Sequence, residues 1–188
     1  MPSTRLVRLS LVAVLTLLGT GCSGDDEPTL PPRTPIASKL AEPLWNPCDA
    51  LDPTAVAALF EATFDQQTGN AQEPRCTFTP TVEGEVVLDI NYQLYGGTFE
   101  DIVAQLGDPG DTAELLTPQV AGASGARIIV DSDAEALAVT GLVRNGRLVQ
   151  VVNALDVAPY DKAATVSHVR ALMVQLAARA EESGLNVE

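Results

Sequence analysis

The chain has 188 residues, 46% of them hydrophobic and 19% charged, a balance that suits a globular protein and not a disordered chain or one embedded in a membrane throughout. Eleven basic residues stand against 25 acidic ones, a formal net charge of −14 at pH 7. A surface of that sign repels phosphate backbones and anionic headgroups, so nucleic acid is not an expected partner; its simplest role is to keep an extracellular domain in solution.

The first 22 residues read as an export signal. Arg5 and Arg8 form a positive start, residues 9–18 are apolar, and Gly19, Thr20 and Gly21 lead directly into Cys22. The apolar run is half the length of about 20 residues that a helix needs to cross a bilayer. Thr20-Gly21-Cys22 resembles the lipobox of bacterial lipoproteins, although Gly19 stands where an aliphatic residue is usual and the leucines sit one place earlier, at Leu17 and Leu18. The resemblance implies acylation of Cys22 and anchoring at the outer face of the cell membrane; ordinary cleavage near Gly21 would instead give a soluble secreted protein. Residues 23–43 contain Pro28, Pro31, Pro32, Pro35 and Pro43 and lack apolar periodicity, the composition of an extended, hydrated tether. The expected organisation is therefore a signal peptide over 1–21, a lipidated cysteine and tether over 22–44, and one globular domain over 45–188.

The chain has three cysteines. Assigning Cys22 to lipid leaves Cys48 and Cys76, which in an oxidising compartment are expected to pair as a structural disulfide. Neither a C-x-x-C spacing nor a second histidine beside His168 favours a redox or metal site.

Along the domain, Asp52-Pro53-Thr54 supplies a capping side chain and a proline at the first helical position, and Val56, Leu59, Phe60 and Phe64 follow at helical spacing. Gly69 and Asn70 end that region. Residues 75–79 alternate Cys76 and Phe78 with threonines, as a half-buried strand does, so the disulfide should tie the helix start to the first strand. Residues 85–95 are the clearest strand: Val86, Leu88, Ile90, Tyr92 and Leu94 share one face, and Asp89, Asn91 and Gln93 the other. Thr98 and Asp101 form a capping box, with Phe99, Ile102, Val103 and Leu106 as the stripe of a short helix ending at Gly107. Residues 108–111 make a turn. A weaker strand around Leu115 and Leu116 precedes strands over 126–130 and 136–144, and Asn145-Gly146 turns the last of these into 147–155. Asp161 caps a long helix to about Glu182, with Val166, Val169, Met173, Leu176 and Ala180 facing the core. The order specifies an α+β domain, a mainly antiparallel sheet covered by about three helices.

Candidate sites are few. Residues 122–126 resemble a nucleophile elbow around Ser124, but Ala126 replaces the final glycine and a strand follows in place of a helix; a loop accounts for them. His168 lies on the last helix with no orienting partner nearby in sequence. Asp131, Asp133 and Glu135 could ligate calcium, yet Ala136 occupies the position where an EF-hand loop needs glycine, so a solvated turn is the simpler reading. Asp108 and Asp111 are turn formers before they are ligands. Catalytic residues, metal ligands and cofactors are accordingly not expected.

The run 46–51, Asn-Pro-Cys-Asp-Ala-Leu, the helix opening 52–59, and Cys76-Thr77-Phe78 resemble the start of a family of actinobacterial secreted lipoproteins of unknown function. That resemblance implies a lipobox, a polar linker, an Asn-Pro-Cys start, a short helix and a Cys-x-Phe strand. Since the family has no settled activity, the expected function is non-enzymatic: a binding or interaction module on the membrane's outer face. The alternative is a carrier of a lipid or other apolar small molecule, suggested by the two-sided apolar run 148–152. The expected partners are the membrane, through the anchor, and an unknown envelope protein or apolar ligand.

Overall fold

The computed structural model describes residues 45–106 and 113–183. They form an α+β domain around one seven-stranded, wholly antiparallel sheet. The described domain opens with α1 (Pro47–Ala50) and α2 (Pro53–Phe60), runs through β1 (Phe64–Thr68), β2 (Arg75–Pro80) and β3 (Val87–Leu94), and crosses by α3 (Phe99–Gln105). It then builds β4 (Glu114–Leu116), β5 (Gly125–Ser132), β6 (Ala136–Asn145) and β7 (Leu148–Val157), and ends in α4 (Lys162–Glu182). The sheet order is β1-β2-β3-β7-β6-β5-β4, two meanders joined where β3 meets β7.

The expected caps are present. Asp52 accepts the Thr54 N–H at 2.9 Å with Pro53 at the first helical position, Thr98 and Asp101 form a reciprocal capping box, and Asp161 accepts the Ala164 N–H at 3.0 Å. Each satisfies a donor that a helix end leaves without a partner.

Alternation places the core. Cys76, Phe78, Leu88, Ile90, Ile128, Val139, Val152 and Ala154 point to one face of the sheet, where α4 lays Val169, Leu172, Met173, Leu176 and Ala177 on them. Gly141 makes this approach possible: a Cβ there would lie 2.7 Å from both the Met173 sulfur and the Val169 side chain. The opposite face is covered in part by α3, whose Ile102 packs on Leu142 and Val149, with Phe99, Ile129 and Val151 around them. The apolar run 148–152 is thus two-sided because it lies between two helices.

Several details differ from the sequence expectations. Phe64 does not extend the helix stripe: Glu61 turns left-handed at φ 53°, α2 stops at Phe60, and Phe64 opens β1. Cys76 consequently lies on the second strand, not the first. A fourth helix exists, the single turn α1, with Asn46 and Asp49 as its capping box. The β6–β7 hairpin turns one residue later than expected: Asn145 pairs with Leu148, so the loop is Gly146-Arg147, with the glycine at φ 57°. Leu94 and Leu106, assigned to buried stripes, are exposed. The short helix expected to end at Gly107 ends at Gln105, with Leu106 as its cap; Gly107 itself, the turn at 108–111 with Asp108 and Asp111, and Cys22 with everything before residue 45 lie outside the described residues.

Candidate functional site

Cys48 and Cys76 are bonded, with an S–S distance of 2.09 Å and Cα atoms 5.0 Å apart. The bond staples α1 to β2. Cys48 also packs against the main core, and Cys76 is fully buried.

The other residues singled out above are not brought together. The Ser124 hydroxyl donates to the Arg144 carbonyl at 3.1 Å, and the Ser124 N–H bonds the same oxygen at 2.7 Å. Ser124 lines a shallow groove of about 220 Å³ with Thr117, Gln119 and Val120, none of which is a general base. His168 lies edge-on to Phe60, ring centroids 5.0 Å apart, as an aromatic contact between α4 and α2. The Asp133 carboxylate accepts the N–H groups of Glu135 and Ala136 at 2.8 and 2.9 Å, closing the β5–β6 turn, and those two bonds hold its pKa below the usual range. Tyr160 donates its hydroxyl to the carbonyl of the same residue. Among the described residues no group of three His, Cys, Asp or Glu side chains is arranged to hold a metal.

The chemistry that the fold does concentrate lies on the sheet face away from α4. Cross-strand partners share a face, and one row runs Gln67, Thr77, Asp89, Asn153, Thr140, Ile129, Leu115, crossing all seven strands. Its middle is a polar ladder of two hydrogen-bonded groups, one around Asp89 and one joining Thr140 to Asn153, set side by side where β3 pairs with β7. Thr77 donates to Asp89 at 3.2 Å, Asn91 donates to the other Asp89 oxygen at 3.2 Å, and Thr140 donates to Asn153 at 3.0 Å. Arg75 closes the end of the ladder on Asp89, and this contact keeps the guanidinium more firmly protonated than usual. Beside the ion pair is a groove of about 420 Å³ lined by Gln72, Glu73, Asn91 and Gln93. Along the neighbouring row, Val87 and Leu155 are cross-strand partners and both exposed.

Asp89, Asn91 and Gln93 were legible as a solvated face from their alternation. Thr140 and Asn153 were not: they lie in apolar surroundings along the chain, and only the strand order places them beside Asp89.

A second polar cluster is structural. Beneath the β6–β7 hairpin, buried Gln150 donates to Asn145 at 3.1 Å and to the Leu176 carbonyl at 3.2 Å, while Asn145 donates to the Gly122 carbonyl at 2.8 Å. It ties the hairpin, the loop before β5 and the last turns of α4 together.

No family model matches the chain, and neither a curated protein nor a solved structure matches it significantly.

Proposed function

We propose that this chain is a non-enzymatic cell-envelope lipoprotein, anchored through Cys22 at the extracytoplasmic face of a membrane, whose domain binds an envelope protein or other envelope component. The observation that supports binding is the polar ladder Thr77-Asp89-Asn153-Thr140, bordered by exposed Val87 and Leu155, on the face that α4 does not cover. Hydrogen-bonding side chains held on a rigid sheet beside apolar ones are what a specific polar interface uses. The export signal, the lipobox-like residues before Cys22 and the resemblance to secreted lipoproteins support the location.

The tests separate location from binding. Mass analysis of the chain isolated from its own cells should find acyl chains on Cys22; an unmodified Cys22 overturns the anchor. Crosslinking on intact cells should recover a recurrent partner, and Asn153→Arg, which sets a long cation in the middle of the ladder, should abolish that recovery while the fold is retained. Recovery unaffected by Asn153→Arg moves binding off this face. A lipid retained in native mass spectrometry would support the carrier reading instead.

A further inference from the structure

The two edges of the sheet are built differently. β4 offers three residues, has its Glu114 paired with Lys162, and is followed two residues on by Pro118, features that discourage pairing with another chain. β1 offers five residues, Phe64–Thr68, with neither proline nor lysine, and Asp65, Gln66, Gln67 and Thr68 are exposed.

The phase of β1 is fixed by its neighbours. It pairs with β2 without a bulge from Phe64↔Pro80 to Thr68↔Cys76. Just beyond the ends, the Thr81 N–H bonds the Thr63 carbonyl at 2.8 Å and the Gly69 N–H bonds the Arg75 carbonyl at 2.7 Å. In an antiparallel pair, residues alternate between exchanging both backbone bonds with the partner and pointing both groups away from it. Thr63, Asp65, Gln67 and Gly69 therefore bond to β2. Phe64, Gln66 and Thr68 present their N–H and C=O groups outward, and none of these groups has a backbone partner among the described residues.

We propose that a second copy of this chain pairs with this edge, β1 against β1, antiparallel about a twofold axis through Gln66. In this register Gln66 faces Gln66 and Phe64 faces Thr68, so the outward groups of both copies meet in phase and form about six backbone hydrogen bonds. Backbone pairing and charge together select this register. Asp65, the one charged residue of the strand, comes opposite the neutral Gln67 of the other copy; a slip of two residues one way sets Asp65 opposite Asp65 and leaves Thr68 without a partner, and a slip the other way sets Gln67 opposite Gln67 and leaves Phe64 without one. A twofold contact meets both requirements with the one strand; a foreign segment would have to match phase and charge independently. The contact joins two sheets edge to edge, and it does not depend on the anchor or on the ladder face.

Sedimentation velocity of the full chain in a non-ionic detergent, over a concentration series, tests this. A concentration-dependent dimer is expected, together with slower amide exchange at Phe64, Gln66 and Thr68 as concentration rises. Gln66→Pro removes an N–H that bonds nothing in β2, so it should leave the circular dichroism unchanged and weaken dimerisation at least tenfold. Asp65→Asn removes the diagonal carboxylate pair across the axis and should tighten the dimer several-fold at low salt. A chain that stays monomeric, a dimer unaffected by Gln66→Pro, or capture of a different protein by this edge overturns the proposal. If Gln66→Pro does not fold, Asp65→Asn decides: no change in dimerisation refutes the register.

Discussion

Tyr92 and Gln150 face one another as Cα partners across β3 and β7, and both direct polar side chains into the interior beneath α4. Gln150 spends its amide N–H groups on Asn145 and the Leu176 carbonyl, but its Oε1 is buried without a partner, and so is the Tyr92 hydroxyl. The two residues occupy one seam with opposite balances: Gln150 ties elements together, whereas the Tyr92 oxygen contributes no bond.

Gln150→Leu keeps the approximate volume but strands the Asn145 side-chain oxygen in the interior and removes the tie to the Leu176 carbonyl, which keeps its bond within α4. Denaturant unfolding should show a loss of about 1–3 kcal/mol, the cost of leaving a buried polar group unmade. An unchanged midpoint would mean that the network contributes nothing to stability.

Tyr92→Phe, by contrast, removes a buried hydroxyl that has no partner and keeps the ring packed at a tilt against Trp45, centroids 4.8 Å apart. Stability at neutral pH should stay level or rise. At alkaline pH the two proteins should diverge. Burial, aided by the Asp49 charge, raises the Tyr92 pKa, so above about pH 10 the unfolded chain releases a proton that the folded one keeps, and stability falls as pH rises. In the phenylalanine variant that part of the fall should vanish from a series of unfolding curves between pH 8 and pH 11.

Replacing both Cys48 and Cys76 by serine opens a loop whose ends are 28 residues apart. Chain entropy assigns such a closure about 3.5 kcal/mol, to be read as a lower denaturation midpoint. Most of the effect should persist at every pH, since no titrating group is involved.

Gly141→Ala inserts a methyl where the Met173 sulfur and the Val169 side chain already touch the strand. Overpacking of this kind costs about 1–3 kcal/mol, and α4 should loosen before the sheet does. Amide exchange in α4 faster than in β6 and β7 would report it.

Two exposed carboxylates and one partly buried carboxylate should titrate on opposite sides of the usual value, as carbon-detected NMR can follow. Asp101 and Asp133 are lowered, by the Thr98 side chain and backbone and by the Glu135 and Ala136 N–H groups respectively. Their contribution is present above about pH 4 and lost as pH falls through their depressed values. Asp156 is raised by burial, opposed by its bond from Thr165. Its contribution runs the other way, declining as pH climbs from about 4 through the raised value.

Much of the fold was legible because local signals agreed with one another. Asp52-Pro53, Thr98 with Asp101, and Asp161 marked three helix starts, and strict alternation marked β3. Legibility failed where the deciding force was non-local. Phe64 fits the spacing of α2, but nothing in that spacing reveals that Glu61 turns left-handed or that Phe64 packs against Phe78 on the neighbouring strand. Asn-Gly is the commonest hairpin pair, yet burial of Asn145 against Gly122 and Gln150 pulls it into the ladder and passes the turn to Gly146-Arg147. The polar row followed the same logic: its members come from β2, β3, β6 and β7, and their adjacency exists only once β3 has paired with β7 rather than β4. The disulfide was an arithmetic inference, and it holds.

The Cys48–Cys76 bond also has a mechanical meaning. Trp45 enters the domain three residues before Cys48, and Cys76 lies on β2, inside the sheet. A pull on the preceding chain reaches β2 through sulfur before it can peel α2 or β1 away, so the load is shared in shear by the ladders on either side of β2. Stretched from its amino-terminal side, the domain should yield by sliding strands rather than by unzipping from its first helix.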